Sequence, residues 1–252
     1  MTRKILGLVT GLLILTSAKS QEKIDLSKTL EARTFKKGEA SLNYRLLRPA
    51  SLAEGKTYPL VIFLHGAGER GDDNKAQLRH GVRNFASKDF QAKHPCFLIA
   101  PQCPRNQFWG FRKGGDPSEL VLSLIEELCR ELPIDRSRIY LTGLSMGGFG
   151  TWDLLTRKPE LFAAGLPICG GGDPKKADRL ANVPIWAFHG ADDKVVPPAR
   201  SREMIEAIKK AGGKPRYEEY KGVGHDSWTQ TYANPAVLDW LFAQKRPPRE
   251  GS

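Results

Sequence analysis

The chain has 252 residues, with 39 Lys and Arg against 28 Asp and Glu, giving a formal charge of +11. The cations form no Lys/Arg run interleaved with aromatics, so they predict a solvated basic surface rather than a nucleic-acid groove. Four cysteines, Cys96, Cys103, Cys129 and Cys169, lack the C-x-x-C or His/Cys spacing of a zinc site, and no metal or other cofactor is expected.

In chain order, Arg3 and Lys4 precede an apolar stretch over 5–15, and Ala18-Lys19-Ser20 stands just ahead of Gln21. This is a Sec-type signal-peptide pattern over 1–20, too short to span a membrane. A secreted or periplasmic protein without a stable membrane anchor is expected, the rival reading being an N-terminal anchor. No cysteine lies near Ser20, so no lipoprotein anchor is expected. Removing Arg3, Lys4 and Lys19 leaves a formal charge of +8. Residues 21–245 have the length of one catalytic-sized α/β domain, and 246–252 read as a flexible tail.

Segments 30–35 and 40–47 flank Lys36-Lys37-Gly38-Glu39 and predict an antiparallel hairpin. Five apolar runs then predict buried strands at 58–64, 97–100, 138–142, 163–168 and 184–188. Cys96 and Cys103 flank the second of these and stand too far apart to pair if it is extended. The pairing of the four cysteines stays open, buried free thiols fitting as well as bridges.

Helical periodicity appears at 120–132, through Leu120, Leu124, Leu128 and Leu132, and at 201–211, through Met204, Ile205 and Ile208. Asn234-Pro235 opens a last helix over 236–244. Alternation of strand and helix implies a mainly parallel sheet with helices on both faces.

Gly143-Leu144-Ser145-Met146-Gly147 follows directly on the third apolar run. A serine between two glycines at a strand-to-helix turn presents its hydroxyl above the sheet as a nucleophile, with the following N–H pointing into the same space. Other reactive residues stand at strand ends, where open parallel sheets place their ligands. His65-Gly66-Ala67-Gly68 closes the first buried strand, making Ala67 and Met146 candidate backbone donors for an oxyanion. Asp192 and Asp193 follow the fifth strand, and His225 lies in Gly222-Val223-Gly224-His225-Asp226. The order Ser145, Asp193, His225 suits a nucleophile, acid and base. Of the other histidines, His80 and His94 lie in polar stretches, and His189 precedes the acid and is expected to pack or bond locally.

Leu64-His65-Gly66-Ala67-Gly68-Glu69-Arg70-Gly71, Ala100-Pro101-Gln102-Cys103-Pro104 and the elbow through Trp152 resemble secreted α/β-hydrolases of the predicted peptidase or carboxylesterase group. His189-Gly190-Ala191-Asp192-Asp193-Lys194-Val195-Val196-Pro197 and Gly224-His225-Asp226-Ser227-Trp228 fit the same pattern. That group is similar to feruloyl esterases, acetyl-xylan-type esterases and polyhydroxyalkanoate depolymerases, and the likeness runs from Tyr58 to about Leu241. It implies an α/β-hydrolase fold with an N-terminal antiparallel hairpin. It also implies Ser145, Asp193 (rather than Asp192) and His225 as the triad, with Ala67 and Met146 as the oxyanion hole. Dienelactone hydrolases share the scaffold but carry cysteine at the elbow, where this chain has Ser145.

The expected substrate is a small-molecule or polysaccharide-borne ester, feruloyl or acetyl in type. Trp109, within Phe108-Trp109-Gly110-Phe111, and Trp228 are candidate walls of the substrate pocket. Trp152, in the helix after the elbow, is expected in the core. No long lid is inserted between Ile168 and Pro184. A serine peptidase on the same triad and a non-catalytic binding module of the same fold are the competing readings. Oligomeric state is left open by the sequence.

Overall fold

The computed structural model describes residues 24–110 and 116–247. The signal-peptide segment 1–20, Phe111 and the end of the predicted tail lie outside these residues. Eight strands form one sheet in the order β1-β2-β4-β3-β5-β6-β7-β8. The hairpin β1 (Glu31–Lys37) and β2 (Ala40–Leu47) pairs antiparallel, and β2 joins β4 antiparallel. From β4 onward every pairing is parallel: β4 (Phe97–Pro101), β3 (Tyr58–Leu64), β5 (Ile134–Leu144), β6 (Ala164–Ile168), β7 (Trp186–Gly190) and β8 (Arg216–Tyr220).

Side-chain alternation along the strands builds two cores. Leu60, Ile62 and Leu64 of β3 point to one face, where they meet α4 (Pro117–Glu131), α5 (Met146–Arg157) and α6 (Ala199–Lys210). Val61 and Phe63 point to the other, packing with α1 (Leu26–Thr29), α2 (Val82–Ala86), α7 (Trp228–Ala233) and α8 (Pro235–Ala243). A strand covered on both faces must be apolar throughout, which is why Tyr58–Leu64 reads as one unbroken run. A short helix α3 (Lys88–Lys93), capped by Ser87 Oγ on the Phe90 amide, leads into β4.

The predicted strands and long helices appear within a few residues of their expected limits, with two informative differences. Strand β5 begins at Ile134, four residues before the apolar run, because Asp135 stabilises its polar start by accepting from the Ser137 amide and pairing with Arg138. Strand β8, Arg-Tyr-Glu-Glu-Tyr, carries no apolar run at all. It lies at the sheet edge, where only β7 must be matched, and Glu219 is held by Arg202 of α6 at 2.6 Å.

All four cysteines are free thiols, three of them buried. Burial pushes Cys96, Cys103 and Cys169 up to about 12 and Cys129 up to about 11. Arg246, where the tail was expected to begin, still donates its amide to Ser137 O at 2.9 Å. Among the described residues no helix is long and apolar enough to cross a membrane.

Candidate active site

Ser145 sits between β5 and α5 with φ 53° and ψ −117°, a left-handed backbone that costs a residue with a side chain about 1–3 kcal/mol. The turn is enforced from outside. A Cβ on Gly147 would lie 1.9 Å from the Leu64 carbonyl oxygen, so only glycine lets the helix start this close to β3. The Ser145 amide is spent on Ile168 O at 3.0 Å and on Cys169 Sγ at 3.2 Å, anchoring the turn to the end of β6.

Three residues from three strand-end loops then meet. His225 Nε2 lies 2.9 Å from Ser145 Oγ, and His225 Nδ1 lies 2.7 Å from Asp193 Oδ2. An ionised carboxylate only accepts, so Nδ1 carries the proton and Nε2 offers its lone pair to the serine hydroxyl. Asp193 is fully buried, and its other oxygen accepts from the Val195 and Val196 amides at 2.8 and 2.9 Å. Burial alone would raise its carboxyl, but the hydrogen bonds from His225 and the two amides prevail and hold it below the ordinary carboxylate value. Asp192, the alternative acid, is exposed and its amide bonds Val223 O. Ser145, Asp193 and His225 are thus brought together, and the arrangement can take a proton from a hydroxyl and return it to a leaving group.

The expected oxyanion donors open helical turns. Met146 is the first residue of α5, and Ala67 is the first of a 3₁₀ turn over Ala67–Glu69; first-turn N–H groups have no intrahelical acceptor. His65 orients the second of them. Its Nδ1 donates to Gly66 O at 2.6 Å while its Nε2 accepts from the Cys103 amide at 2.9 Å. In a trans peptide the carbonyl and the next N–H point oppositely, so fixing Gly66 O turns the Ala67 N–H away from His65. Burial holds His65 down at about 4, keeping the ring neutral and this pattern intact.

The two tryptophans separate. Trp228 is half-buried and stands edge-on to His225, with ring centroids 5.3 Å apart and an 89° interplanar angle. Trp109 is 0% exposed, and its Nε1 donates to His65 O at 3.1 Å, bracing the loop after β3. Trp152 is in the core. His189 bonds locally as expected, its ring meeting Val196 O, Ser201 Oγ and Asp193 within the folded loop after β7. Cys169 under the elbow, by contrast, belongs to an apolar strand end without a motif and escaped the sequence.

Cys169 Sγ, an Asp193 oxygen and a His225 ring nitrogen lie within 4.8 Å of one another, a donor set that metals also use. Here Asp193 and His225 are bonded to each other, and Cys169 is a buried, protonated thiol accepting from Ser145. The three donors satisfy protein groups as they stand.

The mostly parallel sheet with helices on both faces has the α/β-hydrolase fold. Residues 115–234 match the family described as Phospholipase/Carboxylesterase. The chain is 27% identical over 215 residues to the probable feruloyl esterase C of Aspergillus terreus, covering 83% of this chain and 76% of that protein. Among solved structures it is similar to a thermostable esterase, with 44% identity and a TM-score of 0.84, covering 88% of this chain and 64% of that one. The chain therefore spans under two thirds of that esterase's length. The acylaminoacyl peptidase of Pyrococcus horikoshii shares the fold, with 20% identity and a TM-score of 0.68 over 89% of this chain and 43% of that one. These likenesses support a hydrolase acting on ester bonds.

Proposed function

We propose that the protein is a serine carboxylesterase working through an acyl-enzyme. The observation that carries this reading is the unbroken bond chain Ser145 Oγ, His225 Nε2, His225 Nδ1, Asp193 Oδ2, at 2.9 and 2.7 Å. Ser145 Oγ attacks the ester carbonyl as its proton passes to His225 Nε2. The carbonyl oxygen, now negative, is received by the N–H groups of Met146 and Ala67. Asp193 stabilises the imidazolium, which then protonates the leaving alkoxide. Water, deprotonated by the same nitrogen, attacks the acyl-serine and releases the acid.

The substrate class is an ester decoration of the feruloyl or acetyl type on a polysaccharide. It is supported by the likeness to a probable feruloyl esterase and by Trp228, whose half-buried ring stands edge-on to the His225 ring at 5.3 Å. The Sec-type pattern over 1–20 supports export, with the mature chain beginning at Gln21.

The test compares wild type and Ser145→Ala on p-nitrophenyl acetate, methyl ferulate, acetylated xylan and peptide amides, together with fluorophosphonate labelling. Wild type should label at Ser145 and turn over esters, and the variant should do neither while staying folded. Turnover retained in the variant overturns the serine mechanism, and turnover of the amides alone overturns the esterase reading.

A further inference from the structure

Asp193 has a second imidazole beside it. His189, at the end of β7 and four residues before the acid, has a fully buried ring whose Nε2 lies 3.3 Å from Asp193 Oδ2. The same nitrogen is 2.9 Å from the Val196 carbonyl oxygen. A carbonyl only accepts, so Nε2 carries the ring proton. The opposite nitrogen, Nδ1, is 2.8 Å from Ser201 Oγ, which is also 3.1 Å from Gly170 O on the loop after β6. Burial holds His189 below its ordinary value, so the ring is neutral, and with its proton on Nε2 the single Ser201 hydroxyl proton is shared between Nδ1 and the Gly170 carbonyl.

The result is a frame around one carboxylate. Oδ1 is held by two backbone amides, but those bonds alone allow the second oxygen to tilt. Oδ2 accepts from His225 Nδ1 at 2.7 Å, and His189 Nε2, whose proton is directed first at Val196 O, lies 3.3 Å from the same oxygen. We infer that His189 is a positioning residue: its Nε2–H, backed by the Ser201 hydroxyl, holds Asp193 Oδ2 where His225 Nδ1–H must find it. This inference rests on reading Ser145, His225 and Asp193 as the triad. The charged and titratable groups facing His189 are Asp193 on its own loop, His225 on the loop after β8, and Glu219, its partner in register on β8.

The experiment uses the full chain with an ester substrate and follows kcat, KM and the pH dependence of kcat/KM. His189→Asn keeps a polar group near Ser201 but cannot reach Asp193, whereas His189→Gln places an N–H near the position of Nε2. In His189→Asn, kcat/KM should fall by about 10-fold to 100-fold, chiefly in kcat, the scale of a displaced catalytic group. The acid limb of the profile should also move to higher pH. With one donor removed, the Asp193 charge is concentrated on His225 and stabilises its protonated form. His189→Gln should recover most of the rate and return the limb. Ser201→Ala, which removes one hydroxyl, should shift both in the same direction by less, and it decides the matter if His189→Asn does not fold.

Equal losses in the Asn and Gln variants with an unmoved acid limb would show a merely structural residue and overturn the inference. Unchanged kinetics in His189→Asn would do the same. Failure of the triad reading is seen separately, as wild type that does not label at Ser145.

Discussion

Gly190 at the end of β7 packs face to face with Gly224: a Cβ on Gly190 would lie 2.0 Å from the Gly224 carbonyl oxygen and 2.4 Å from that of Val223. This contact seats the loop bearing His225 directly on the strand that leads to Asp193. Gly190→Ala must push the loop away. We expect kcat/KM to fall about 100-fold or more, as for a catalytic group displaced by an ångström. Steady-state kinetics with the rate of fluorophosphonate labelling check this, and wild-type rates in a folded variant would refute it.

Asp193→Asn reverses a proton rather than moving an atom. The Val195 and Val196 amides require an oxygen, so the new amide nitrogen faces His225 Nδ1. The imidazole must then carry its proton on Nε2, facing Ser145, where no lone pair is left to accept. The expected loss in kcat is about 10,000-fold, measured with p-nitrophenyl acetate, with the unfolding temperature little changed.

Stability should fall in mild acid because of His65. Its ordinary value of 6.5 drops to about 4 in the fold, so between those limits the unfolded chain binds a proton that the native one refuses. The contribution is whole above about pH 6.5 and is lost as pH falls toward 4, amounting to about 3 kcal/mol. His189, also depressed by burial, acts in the same direction. Denaturant midpoints from pH 7 to 4 measure the slope, and His65→Asn should flatten it. An equal slope in that variant would be the contrary result.

Trp228→Ala tests the aromatic wall. If the ring supports an aryl acyl group, KM for methyl ferulate should rise about 3-fold to 10-fold, matching the roughly 0.5–1.5 kcal/mol of an aromatic pair. Values for p-nitrophenyl acetate should move less. Equal losses on both substrates would mean that Trp228 serves only to steady His225.

What the sequence determined by itself is the set of features that local rules encode. The apolar run Tyr58–Leu64 could only be a strand buried on both faces, and the leucines at four-residue intervals could only line one side of α4. The Gly-x-Ser-x-Gly turn and the order Ser145, Asp193, His225 were legible because backbone crowding and proton transfer each demand particular residue types.

Tertiary structure decided everything that depends on which strand lies next to which. Edge strand β8 has no apolar pattern and exists because β7 pairs with it. An aromatic after a strand end fits several roles, and only the tertiary structure sets Trp109 edge-on against His65. The meeting of Asp193, His225 and His189 joins residues 32 and 4 positions apart. No sequence period describes such a contact, since it arises where loops from separate strands converge above one end of the sheet.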